Sequence, residues 1–428
     1  MMKHKGRLVT LAVIFTFSCV GNLAQTRCPA ERPVACPTPA PAPAPAPPCP
    51  GINDIKSKWD LWRAGTCLRG ANIWQKRVTP AHGMGAGPVG PPYLSREANR
   101  PGDFERLRDF GANYVNISYP GVLTEQPPYK FDEAVYAHLD KLIMMAEQAQ
   151  LFVVISFRTG PLRNEAVFDS KEGKVERGVW KNPDARETWK TMWFETARRL
   201  RCRKVVVGYD LMVEPDTTDH ALWNAMAAEV ARKIREVDTQ TPIIIGGADW
   251  SDVGSLEGLA PNGMPMTVYA LHQYEPRDYT HREDDKGFKK GDPRKFAASL
   301  DESYRRVEAF RAKHSGPSGR LPMVVNEFGL FRWAPNSGCF MSYQFALLER
   351  AGMNHALWLW ETTSPLVTYD QFNFRRGPDQ RNKQDCQTSG LIEAIKTNWR
   401  LNAVRPKDVM DKFPDVGCDV VYNEGRKF

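Results

Sequence analysis

Eight short apolar runs, separated by long amphipathic stretches, limit this chain to very few folds. The runs are CLRGANIW (67–74), NYVNISY (113–119), LFVVISF (151–157), KVVVGYDLM (204–212), PIIIGG (242–247), TVYALHQY (267–274), PMVVNEF (322–328) and HALWLW (355–360). Several are almost continuously apolar, as strands must be when neither face meets water. Between them, DEAVYAHLDKLIMMAEQA, DARETWKTMWFETARRL, DHALWNAMAAEVARKIREVD and PRKFAASLDESYRRVEAFRAKH carry apolar residues at the 3.6 period of an amphipathic helix, the third with Asp219 as N-cap. Strand–helix alternation repeated eight times over ~350 residues predicts an α/β fold, a (β/α)8 TIM barrel with some long loops. A doubly wound open sheet is the competing architecture. It calls for a glycine-rich phosphate turn after the first strand, which RGANIW does not supply.

The barrel is expected over residues 52–400, with 401–428 as an extension packed on it. Residues 25–51 contain PTPAPAPAPAPP, a Pro/Ala run that favours extended polyproline II and is read as a disordered, semi-rigid linker. Residues 1–24 join a basic start (MMKHKGR) to an apolar run too short for a permanent membrane span, the pattern of a secretory signal. Two readings stay open: lipoprotein-type cleavage near Cys19, which would tether the protein to a membrane through a lipidated N-terminus, and ordinary cleavage near Ala24. The protein is therefore expected to be exported, whether periplasmic, cell-surface or secreted. Beyond Cys19 the eight cysteines, an even number in an exported chain, suggest disulfides, with a Cys339–Cys386 bridge between two rim loops as one candidate. The net charge of +8 falls to +5 without the three cations of residues 1–24. That modest excess forms no basic block, and no nucleic-acid partner is expected. A monomer is expected.

In a TIM barrel the site lies at the C-terminal ends of the strands. Glu214 falls just past the fourth run and Glu327 ends the seventh. His272 and Tyr274 close the sixth, Trp358, Trp360 and Glu361 the eighth, Trp250 follows the fifth and Trp74 the first. Two carboxylates on one rim suit glycosidic cleavage, one giving a proton to the leaving oxygen while the other attacks or stabilises the oxocarbenium-like centre. Tryptophans around them suit stacking on sugar rings. Of Trp358 and Trp360, one is expected to line the site and the other to pack under the helices. Arg375, Arg376, Arg381 and Lys383 read as a solvated basic face, and Glu361 as structural.

The chain resembles glycoside hydrolase family 5, the cellulase-type branch of the TIM-barrel glycosidases. GYDLMVEP resembles the family's strand-four motif and NEFG its strand-seven motif; RGAN, LHQY, LWLWE and CQTSGLIEAI fit the remaining signatures. The resemblance spans roughly residues 55–400. It implies Glu214 as acid/base and Glu327 as nucleophile of a retaining β-glycosidase acting on a polysaccharide or oligosaccharide, without metal or organic cofactor. It also implies Tyr274 on the nucleophile, His272 near the acid, and Trp358 or Trp360 beneath the sugar.

Three positions depart from the family pattern. Val213 replaces the asparagine that donates to the sugar 2-hydroxyl. Asn116 stands on strand two where an arginine is usual. Arg158 ends strand three in place of a histidine, to substitute for the missing arginine or to bind an acidic sugar. Val213 and Asn116 motivate one rival reading, a carbohydrate-binding barrel that has lost catalysis; a second rival is a surface-tethered transglycosylase, using the same residues with a sugar acceptor in place of water.

Overall fold

The computed structural model describes residues 36–39, 46–77, 89–168, 178–261, 263–281, 293–316, 319–363, 370–415 and 418. Residues 1–24, and with them the signal reading, lie outside this set. Eight parallel strands close into a barrel: β1 (Arg69–Trp74), β2 (Tyr114–Pro120), β3 (Phe152–Thr159), β4 (Val206–Asp210), β5 (Ile243–Gly246), β6 (Thr267–Gln273), β7 (Met323–Phe328) and β8 (Asn354–Leu357). Each pairs with its neighbour in sequence, and β1 closes on β8 from Arg69–His355 to Ala71–Leu357. The expected (β/α)8 architecture is met.

The outer ring contains α1 (Asp103–Phe110), α2 (Glu133–Gln148), α3 (Pro183–Leu200), α4 (His220–Arg235), α5 (Pro293–His314), α6 (Ser337–Ala351) and α7 (Gly390–Trp399). Between β5 and β6 stands a short 3-10 helix, Val253–Glu257. The amphipathic stretches appear as α2 to α5, the last over the expected residues. Asp219 caps α4 as expected, accepting from the Leu222 amide at 2.9 Å.

The pleat sorts each strand into two cores. Val115, Ile117, Val153, Ile155, Ile243, Ile245 and Val325 face the helices. Tyr114, Phe152, Val154, Val207, Ile244, Val268, Val324 and Ala356 fill the barrel floor. Gly70 of the RGAN motif is required here, because a Cβ on it would lie 1.8 Å from the Tyr114 carbonyl oxygen. The floor is sealed from both ends of the chain. Trp62 donates its indole N–H to the Val207 carbonyl at 2.9 Å, and Val404, Val409 and Phe413 join the same cluster. Among the described residues, no helix is long and apolar enough to cross a membrane.

Disulfides fasten the termini to the barrel. Cys36 is bonded to Cys339, Cys49 to Cys67 and Cys202 to Cys418. The Pro/Ala segment is thus tied down at two points, and the Ala46 amide donates to the Arg350 carbonyl at 3.3 Å at the end of α6. The Cys339–Cys386 expectation is corrected: Cys339 takes its partner from the linker, and Cys386 is bonded to a different cysteine. Proximity on one rim did not select the pair because Cys36 of the linker meets Cys339 in the first turn of α6.

The basic stretch after β8 is a solvated face only at Arg381 and Lys383. Arg375 is buried, stacks on Trp360 at 4.2 Å and donates to the Glu361 carbonyl. Arg376 and the exposed Lys383 both pair with Asp370 at 2.7 Å, and Arg381, the most exposed of the four, lies 3.5 Å from Asp379. The loop turns about Arg332, a fully buried guanidinium that donates to the carbonyls of Asp370, Gly377, Asp379, Gln380 and Asn382 and to the Asp370 carboxylate. Arg332→Met leaves those carbonyls without their donor and takes from Asp370 its one fully buried cation, leaving Arg376 and Lys383. It is expected to lower stability by about 3–5 kcal/mol, read by chemical denaturation, with loss of amide protection across 370–386.

Candidate active site

Above the apolar floor the barrel interior becomes polar. Asn116 donates to Asn72 Oδ1 at 2.8 Å, and Asn72 Nδ2 donates to the Asn326 carbonyl at 2.8 Å. Ser156 Oγ lies 2.6 Å from Asn116 Oδ1 and 3.0 Å from Asp210 Oδ2, and Asn326 Nδ2 donates to the same Asp210 oxygen at 2.6 Å. Burial pushes the Asp210 carboxyl up to about 6. This layer holds Asn116, which is therefore corrected as a substrate contact: its amide is spent within the barrel, beneath the mouth.

The carboxylates stand on the next layer. The β6–β7 register shifts between Leu271 and His272, so that His272 pairs with Glu327. The irregularity lets consecutive residues Asn326 and Glu327 both reach the interior, where strict alternation would send one outward. Glu214 lies beyond the end of β4 with φ +50°, a left-handed conformation uncommon for a residue with a Cβ. His272 Nδ1 lies 2.9 Å from Glu214 Oε1 and 3.4 Å from Glu327 Oε2. One donor atom from each of Glu214, His272 and Glu327 lies within 4.8 Å of the other two. That spacing would fit a metal ion, but the guanidinium of Arg158, 3.9 Å from Glu327 Oε1, opposes a further cation there.

Arg158 is buried among carboxylates and rings. It meets Glu165 at 3.3 Å, lies 3.9 Å from the Phe168 ring, and faces Trp358 at 5.4 Å and Trp74 at 5.5 Å. Tyr274 donates to Glu327 Oε2 at 3.2 Å. Burial raises the Glu327 carboxyl to about 7, helped by the charge of Glu214 and opposed by His272 and Arg158. Burial would raise Glu214 too, but the hydrogen bond and charge of His272 hold it below the usual range. His272 is lowered by burial, yet the two glutamates outweigh this and raise it. Glu214, His272 and Glu327 therefore titrate as one coupled set, with His272 favouring charge on both glutamates.

The aromatic expectations divide. Trp358 joins Tyr274, Phe331, Leu359 and Phe372 at the mouth, with Trp74 and Trp333 against them, and its ring lies 6.2 Å from that of Trp74. Trp250 sits at the edge of the Phe168 ring, its amide donating to the Pro215 carbonyl one residue past Glu214. Trp360 is corrected. It is 1% exposed, packs between Phe110 and Phe374, and donates its indole N–H to the Asp103 carbonyl at 3.0 Å. It belongs to the helix layer; β8 ends at Leu357, so the alternation of a strand does not govern either tryptophan. Glu361 is buried beside Arg375, and burial lifts its carboxyl to about 7.

The sequence matches the family model described as Cellulase (glycosyl hydrolase family 5) over residues 79–364. The chain belongs to glycosyl hydrolase family 5. Endoglucanase C of Acetivibrio thermocellus is 23% identical over 185 residues, covering 42% of this chain and 51% of that protein. Cellodextrinase A of Ruminococcus flavefaciens is 24% identical over 183 residues, covering 42% and 52%. The chain thus spans about half the length of the curated relatives it matches. Among solved structures, the endoglucanase Cel5A from the hyperthermophilic Thermotoga maritima superposes with a TM-score of 0.58 at 20% identity, covering 79% of this chain and 98% of that one.

Within this family-5 barrel, the loop after β3 supplies residues that sequence reading passed over. Arg163, Glu165 and Phe168 follow Arg158 closely, and Asp216 lies two residues past Glu214. Their charge balance within a short stretch was visible, but nothing in it marked them as buried. The raised Glu327 and His272 yield a signed prediction. Both groups bind a proton more tightly when folded: the contribution of Glu327 is present below about 4.5 and is lost as pH rises to about 7, whereas that of His272 is present below about 6.5 and is lost only above it. Glu327→Gln removes the buried charge that penalises high pH. Its thermal midpoint relative to wild type is expected to rise from pH 5 to pH 8.

Proposed function

We propose that this protein is an exported, retaining glycoside hydrolase that cleaves β-glycosidic bonds of a polysaccharide or oligosaccharide. The observation that carries the reading is the spacing of the two carboxylates, whose nearest oxygens lie within 4.8 Å at the barrel mouth. Carboxyl groups ~5–5.5 Å apart suit direct attack and a covalent intermediate, whereas ~6.5–9.5 Å leaves room for a water between sugar and base. Disulfides between distant segments support an oxidising compartment.

Glu327 attacks the anomeric carbon while Glu214 gives its proton to the departing oxygen, leaving a glycosyl ester on Glu327. Glu214 then takes a proton from water, which attacks the same carbon and frees Glu327. Attack needs charge on Glu327 and the proton on Glu214. Arg158 and Tyr274 both face Glu327 and favour charge there. Trp358 and Trp74 provide the apolar wall for the sugar. Arg158 substitutes for the strand-two arginine rather than serving an acidic sugar, because Glu165 and Glu327 already balance its charge.

Val213 is buried just before Glu214 and offers no donor. A sugar whose 2-hydroxyl is substituted or absent at the cleavage point suits it. Rapid turnover of unmodified cellulose or mannan by the wild type would remove that refinement and leave the hydrolase reading intact.

Glu327→Ala is expected to lose turnover by on the order of 10⁴-fold or more while still binding glycan. Proton NMR of the first product should show retained anomeric configuration. Inversion would overturn the covalent mechanism. Full activity of Glu327→Ala would overturn the site itself. Product analysis with and without an added sugar acceptor separates hydrolysis from transfer.

A further inference from the structure

Arg163 is 2% exposed and uses all three guanidinium nitrogens. Nε meets Asp216 Oδ1 at 3.1 Å, one terminal nitrogen donates to the Glu214 carbonyl at 2.7 Å, and the other donates to the Arg158 carbonyl. Asp216, itself buried, also accepts the Trp180 indole N–H at 3.0 Å. The Phe168 ring lies 5.0 Å from Arg163 and 3.9 Å from Arg158, so one ring backs both cations. The two captured carbonyls belong to the residues that matter most at the mouth: Glu214, and Arg158, whose side chain faces Glu327.

From this geometry we infer that Arg163 is a positioning residue that sets Glu214 for proton transfer. The inference rests on the hydrolase reading above. Glu214 adopts a left-handed backbone, which a residue with a Cβ holds only when its surroundings over-determine it. Its carbonyl is gripped by a planar fork whose other arm is fixed to the β3 chain and whose base is fixed to Asp216. An arginine can make these three bonds at once; a lysine ammonium has no such fork. A wholly buried ion pair is a weak source of stability, because desolvation offsets most of its attraction. What the pair Arg163–Asp216 supplies is registration. It couples the β3 loop, which brings positive charge to Glu327, to the β4 loop, which brings the second carboxylate. Without it, Glu214 relaxes from its place while Glu327, Arg158 and Tyr274 still form the nucleophile side.

The test separates the two half-sites by leaving group. Aryl β-glycosides of a sugar the wild type hydrolyses, beginning with cellobiosides, are compared for Arg163→Met, Arg163→Lys and the reference Glu214→Ala. A phenyl glycoside needs its leaving oxygen protonated; a 2,4-dinitrophenyl glycoside does not. Loss of general-acid positioning is expected to lower kcat/KM for the phenyl substrate by about 10²-fold while sparing the dinitrophenyl substrate. With the dinitrophenyl substrate, added azide should raise kcat and yield a β-glycosyl azide, since azide attacks the ester on Glu327 without needing a base. Glu214→Ala should show the same signature more strongly. Equal losses on both leaving groups, or no azide response where Glu214→Ala responds, would overturn the positioning role. Should Arg163→Met fail to fold, Arg163→Lys carries the same comparison. Absence of wild-type turnover on every aryl glycoside would instead count against the hydrolase reading itself.

Discussion

Two carboxylates buried with oxygens less than 5 Å apart repel one another, and the site exists only because positive charge is built in between and beside them. His272 lies within hydrogen-bond reach of both and Arg158 lies beside Glu327. Much of the upper barrel can be traced to that requirement. The β6–β7 irregularity brings His272 level with Glu327. The end of β3 delivers Arg158, and Glu165 and Phe168 hold it. Beneath, the Asn72–Asn116–Ser156–Asp210–Asn326 layer gives the strands that carry these groups a common polar floor.

The position of the cation shows how a barrel tolerates change at its mouth. An arginine expected on strand two is absent, and Asn116 in its place is absorbed by the interior network. The positive charge near Glu327 comes instead from the neighbouring strand. Adjacent strands lie about 5 Å apart, well within the reach of an arginine side chain, so the field at a carboxylate does not depend on which strand supplies the charge. The substitution brings a second requirement, however. A buried guanidinium needs its own acceptors, and the loop from Arg158 to Phe168 provides Glu165 and couples to Asp216 through Arg163.

The eight strands and the positions of Glu214 and Glu327 were legible because apolar continuity and helical period are local properties of the chain. The errors fell where an outcome depended on what lay across space. Trp360, offered with Trp358 as a platform for the sugar, packs instead on Phe110 of α1. Arg375 looked like its charged neighbours but stacks on Trp360 under the last loop. Cys339 lay on the same rim as Cys386, yet its partner came from the Pro/Ala segment 303 residues away.

By itself the sequence determined the order of strands and helices, and which residues end the strands, because hydrophobic period and capping act over a few residues. Closure of the barrel decided the rest: the approach of Glu214 to Glu327 across 113 positions of chain, the seat of Arg158 between them and Glu165, and the grip of Arg163 on two strand ends. Such electrostatic arrangements depend on distance and burial, and neither quantity is defined until distant segments share one dry interior.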